Sequence, residues 1–253
     1  MDLLRGKYEQ AIRKISNHDS LKSAYQYLQQ LKSHEIDQTW IHAESMRLNF
    51  LVATYTDITQ DSGKVLYDRG QSAAFNLIQQ NPAIAGYLRS GAGDLNTITD
   101  STSLVNPEPI YYWAINDLFW LRTEQPITRL VSRKRIERAI QLLQQTHPDY
   151  RWSAVERLRG LLLTISPDGD LNNARESFEK AIAEGKEFLE NHFFYGRYYG
   201  VLLQDKDLFM NQMDEILLAE LSATEELTDI NSLIKKRAEQ LKQHPEEYFI
   251  IMR

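Results

Sequence analysis

The chain has 253 residues, 42% of them hydrophobic and 25% charged, with a net charge of −6 and no cysteine. It is too apolar for a disordered chain and long enough to bury a large core in one or two domains. The missing thiol excludes disulfides, thiolate metal sites, cysteine-held iron–sulfur clusters and cysteine nucleophiles, and the acidic balance argues against a general affinity for nucleic acid, which needs Lys and Arg clustered on phosphates.

The first twenty residues, MDLLRGKYEQAIRKISNHDS, lack a basic start followed by an apolar stretch, so they do not read as a signal peptide. The chain is then either cytosolic or a trimmed mature form. Leu, Ala, Gln, Glu, Lys and Arg fill helix-sized intervals between 11 Gly and 7 Pro, and alternating β-branched runs are missing. The reading is all-α, with helices at roughly 3–16, 20–32, 36–57, 62–80, 108–123, 127–146, 150–165, 171–184, 187–203, 206–221 and 228–242. Short intervals between most of them predict antiparallel hairpins, in a single helical-repeat domain over 1–253. Ser90 to Asn106 is rich in Gly, Ser, Thr, Asn and Asp and reads as a loop or internal boundary. The most apolar window, Ile110 to Leu121, is 12 residues long, against roughly 20 for a membrane span.

Further along, Ile136, Ala139, Ile140 and Leu143 form one apolar stripe, and Ile216, Leu217 and Leu221 another. Leu171, Ala174, Phe178, Ala181, Ile182 and Phe188 recur at threes and fours, with Asp170 at the N-cap position behind Gly169. Ala174, Phe178 and Ala181 fit the second helix of a tetratricopeptide-type hairpin, with Gly160 two residues further upstream than usual, which makes a degenerate repeat.

Taken in order, PIYYWAINDLFWL, RIERAIQLL followed by HPDY, DGDLNNARESFEKAI, FFYGRYYGVLLQDKDLFMNQMDEIL and DINSLIKKRAEQL resemble the T component of tripartite ATP-independent periplasmic (TRAP) transporters, from about Pro109 to the C-terminus. That resemblance implies a periplasmic, lipid-anchored protein, able to form a homotrimer, that binds the substrate-binding protein of a TRAP system and offers a pore or cleft lined with aromatic residues. The chain departs from the family in carrying neither a signal peptide nor an acylated cysteine.

Ten aromatic residues fall in two segments, among them Tyr112, Trp113 and Trp120 in the first and Tyr195, Tyr198 and Tyr199 in the second. With Asn116, which shares a helix face with Trp113 and Trp120, these seven residues are the predicted lining of a cleft for a small hydrophobic solute. The same pattern serves core packing between hairpins. Asp168, Asp170, Asn172 and Glu179 have part of a calcium-loop spacing, but Asn173 stands where such a loop needs Gly, and a capping role for Asp170 fits better. The six histidines show no metal spacing, and HExxH, GxSxG, phosphate-loop and dinucleotide fingerprints are absent, so no cofactor and no catalytic residue is predicted. Arg129, Arg133, Lys134, Arg135 and Arg138 read as a solvated helix face. Two functions are compatible with this reading: a non-enzymatic TRAP component, or a cytosolic tetratricopeptide-like adaptor whose groove takes a partner's peptide or helix. A hydrophobic segment ending in Cys just upstream of residue 1 supports the first, and a true start at Met1 opposes it.

Overall fold

The computed structural model describes residues 2–15, 18–34, 37–99, 105–221 and 224–249. Among these the regular structure is helical throughout: α1 (Asp2–Ile12), α2 (His18–Leu31), α3 (Gln38–Tyr55), α4 (Gln60–Ile78), α5 (Pro82–Ser90), α6 (Leu95–Thr99), α7 (Pro107–Leu121), α8 (Pro126–Thr146), α9 (Ala154–Ile165), α10 (Leu171–Glu184), α11 (Glu190–Phe194), α12 (Lys206–Leu218) and α13 (Glu225–Gln243). The all-α reading stands. The predicted ends at Ser16 and Ile36 lie outside the described residues, as do residues 100–104 of the predicted loop.

The helix starts follow from local chemistry. Asp37, Thr59, Asn81, Asn106, Asp170 and Asp205 each accept a backbone N–H of the first turn, so donors that the helix leaves unpaired are satisfied by side chains. Helix α5 is absent from the sequence prediction because Pro82 and Gly86 look like breakers. Pro82 instead occupies the first turn behind the Asn81 cap, where it costs nothing, and Gly91 closes the helix at φ 74°. The predicted helix 150–165 loses its first turn, since residues 151–153 are left-handed.

Helix α7 is the axis of the molecule. From Pro109 to Phe119 every side chain is buried, because α3, α4, α8 and α9 pack around it, and a helix apolar on all sides is stable in such surroundings. Its interior amide and carboxylate are held from several sides, although the buried Asn116 Oδ1 has no hydrogen-bond partner among the described residues. Asn116 donates to the carbonyls of Met46 and Tyr112, and Asp117 takes a two-pronged bond from Arg135. Burial pushes the Asp117 carboxyl up and the Arg135 guanidinium opposes that.

The charged run on α8 is not a solvated face, and that reading is corrected. Arg138 donates to the carbonyls of Leu88 and Arg89 at the end of α5, and Arg129 to those of Arg122 and Glu124 at the end of α7. Two helix C-termini thus get their missing donors from α8. Arg133 bridges Glu137 and Asp168, and Lys134 alone of the five is exposed.

Candidate functional site

Helices α9 and α10 form a hairpin because Gly160 lets the two backbones close in. A Cβ at that position would stand 2.9 Å from the ring of Phe178, which is fully buried with Ala174 and Ala181. Asp170 fixes the start of α10 by accepting from the N–H groups of Asn172 and Asn173, and Glu179 pairs with Arg175. Phe188, predicted on the α10 stripe, lies beyond the helix and packs on Trp152 at 5.3 Å.

Against this hairpin, α8 leaves a groove. Two cavities, about 620 and 950 Å³, share Gln144, Glu156 and Lys180 and so run into one another. The smaller lies between Glu137 of α8, Arg159 and Leu163 of α9, and Glu176 of α10; the larger ends at Pro107, Tyr150 and Trp152. Glu156, 5% exposed, is held between Arg159 (2.6 Å) and Lys180 (2.9 Å). Glu137, Glu176, Glu184, Glu108 and Asp149 outnumber the cations of the lining, so the groove is acidic with an aromatic end.

That end is built on an unusual backbone. Arg151, Trp152 and Ser153 have φ of 52°, 50° and 65°, a left-handed turn of three non-glycine residues, and each such residue costs about 1–3 kcal/mol unless its surroundings hold it. What holds it is a buried polar network. Arg157, fully buried, donates to the carbonyls of Arg151 (3.2 Å) and Trp152 (3.1 Å), to Asn191 Oδ1 (2.7 Å) and to the Tyr111 hydroxyl, and pairs with Glu190 (3.2 Å). Tyr55 and Tyr111 donate to the two oxygens of Glu190. Burial, and then the Glu190 charge, pushes the Tyr55 hydroxyl well above its ordinary pKa, so it stays a donor. Asn191 completes the set by donating to the carbonyls of Ala181 and Gly185. Gly185 is needed there, since a Cβ would meet the Trp152 carbonyl oxygen at 2.4 Å.

The seven residues predicted from sequence are distributed over four places. Tyr112, Trp113 and Asn116 are buried in the α3–α4–α7 interior, with Phe50 6.1 Å from Tyr112 and Phe75 6.2 Å from Trp113. Trp120 is half-buried with the Lys64 ammonium 5.6 Å above its ring. Tyr195 and Tyr199, both buried, pack on Phe178 at 5.5 and 6.3 Å. Tyr198 borders a cavity of about 290 Å³ and meets α7 through Phe119 at 5.1 Å. The last three stand on a π-helical stretch, Tyr195–Gly200, immediately after α11.

Sequence reasoning missed Tyr150, Trp152 and the Arg157–Glu190 pair. One signal was available: Arg157 sits on the apolar face of α9, beside Ala154, Leu158 and Leu161, where a charge needs a buried partner.

The described residues form packed helices with an acidic groove, and among them no helix is long and apolar enough to cross a membrane. The family model for the TRAP transporter T-component matches residues 56–249, well over half of the chain, and the chain belongs to that family. It is a component associated with TRAP transport. No curated protein matches the chain.

Proposed function

We propose that this chain docks on the substrate-binding protein of a TRAP system through the groove between α8, α9 and α10, and holds a small hydrophobic solute at its aromatic end, without bond chemistry. The observation that carries this reading is the continuity of the two cavities across Gln144, Glu156 and Lys180, which gives an extended surface with carboxylates along it and Tyr150 and Trp152 at one end. An acidic groove suits a projecting segment with basic side chains. None of the seven aromatic-cleft residues predicted from sequence lines this groove, so in this reading solute contact passes from them to Tyr150 and Trp152. The chain acts as one helical unit in the periplasm, lipid-anchored, as its family resemblance suggests. The exposed α8 stripe of Ile127, Leu130 and Val131 offers an apolar surface for a homotrimer.

The test is co-purification with the substrate-binding protein encoded nearby, followed by native mass spectrometry. We expect a complex at micromolar concentration that the double reversal Glu137→Lys and Glu176→Lys weakens about tenfold or more, or 1.4 kcal/mol. The absence of any complex overturns the docking. A complex insensitive to the reversals moves it off the groove.

A further inference from the structure

Three arginines surround the 290 Å³ cavity beside Tyr198: Arg122 at the end of α7, Arg129 on α8 and Arg197 on the π-helical stretch. Arg129 is spent on two helix-end carbonyls. Arg122 and Arg197 are different. Among the described residues neither pairs with a carboxylate, and their guanidinium groups are held by aromatic faces alone, Arg122 4.1 Å and Arg197 5.7 Å from the Tyr198 ring, with Tyr248 4.2 Å from Arg197. Burial lowers the affinity of Arg122 for its proton, and the neighbouring Arg197 and Arg129 charges lower it further against the opposing Tyr198 and Tyr67. Like charges gathered without a counter-charge around a cavity are a cost to folding that an anion removes.

The rest of the lining says what kind of anion. Ile165, Val201 and Leu202 make one side apolar, which inorganic phosphate would leave without a partner, whereas guanidinium forks match a carboxylate in two-pronged fashion. Thr164 already gives its hydroxyl proton to the Leu161 carbonyl, so the Tyr198 hydroxyl is the neutral donor free to turn toward the ligand. At about 30 Å³ per water-sized group, the space takes roughly ten non-hydrogen atoms.

We propose that this cavity binds a small organic acid, its carboxylate between Arg122 and Arg197 and its aliphatic part against Ile165, Val201 and Leu202. The site is separate from the α8–α10 groove, and its test does not depend on docking.

Octanoate, 1-octanol and inorganic phosphate, titrated calorimetrically into the full chain, probe head and tail separately. Octanoate is expected to bind at least about tenfold more tightly than either of the others, and Arg197→Gln, folded by circular dichroism, to lose at least about tenfold of that affinity. Octanol binding as well as octanoate overturns the carboxylate site, and phosphate binding as well overturns the organic acid. Failure of octanoate to bind the unaltered protein in the millimolar range, or undiminished binding to the folded Arg197→Gln variant, overturns the proposal as a whole. The comparison of the three probes on the unaltered protein stands whether or not the variant folds.

Discussion

Arg157 and Arg122 are both arginines placed among aromatic rings, and their surroundings could hardly differ more. Arg157 has a carboxylate, a tyrosine oxygen, an amide oxygen and two backbone carbonyls around it, which leaves it no capacity for anything else. Arg122, with Arg197 beside it, has ring faces and an open cavity. A buried charge whose partners come from α7, the turn before α9, and α11 is part of the architecture. One whose neighbours are other cations invites a partner from outside.

Mutations separate the two regions by size of effect. The largest belongs to Arg157→Met, which strands Glu190 in the interior and is expected to cost about 3–5 kcal/mol in urea unfolding. A loss below about 1 kcal/mol would show that water reaches the network and that the left-handed turn stands without it. Tyr111→Phe keeps the ring and removes one donor to Glu190 and one acceptor for Arg157, for an expected loss of about 1–3 kcal/mol by the same measurement. Smallest is Arg197→Gln, for which we expect a change within about 0.5 kcal/mol, the lost contact with the tyrosine rings being offset by relief of repulsion with Arg122. A large loss there would make Arg197 structural and erase the contrast.

Much of the fold was legible from residue spacing and caps. Asp170, Asn106 and Thr59 mark helix starts by a local rule that needs no tertiary information, and the apolar stripes of α8 and α10 face the interior as their periodicity requires. The candidate site was less so. The groove arises where three helices meet, and which carboxylates face it depends on rotations that no single stretch encodes. The aromatics of α7 were visible as a group, but Trp113 is buried against Phe75 while Trp120, between the buried Phe119 and Leu121, keeps part of its ring exposed beside Lys64, a difference of helix face that depends on the neighbouring helices. The roles of Arg129 and Arg138 were hidden because a backbone carbonyl has no letter in the sequence.

The π-helical stretch Tyr195–Gly200 carries one residue more per turn than the helix on either side. In terms of register, such a stretch is where a single insertion is stored, and each stored residue rotates the downstream helix by about 100°. Arg197 and Tyr198 reach their cavity from inside this stretch, and Val201 and Leu202 from just beyond it. Removing Gly196 or Tyr199 is therefore expected to disband the cavity while leaving every arginine in the chain.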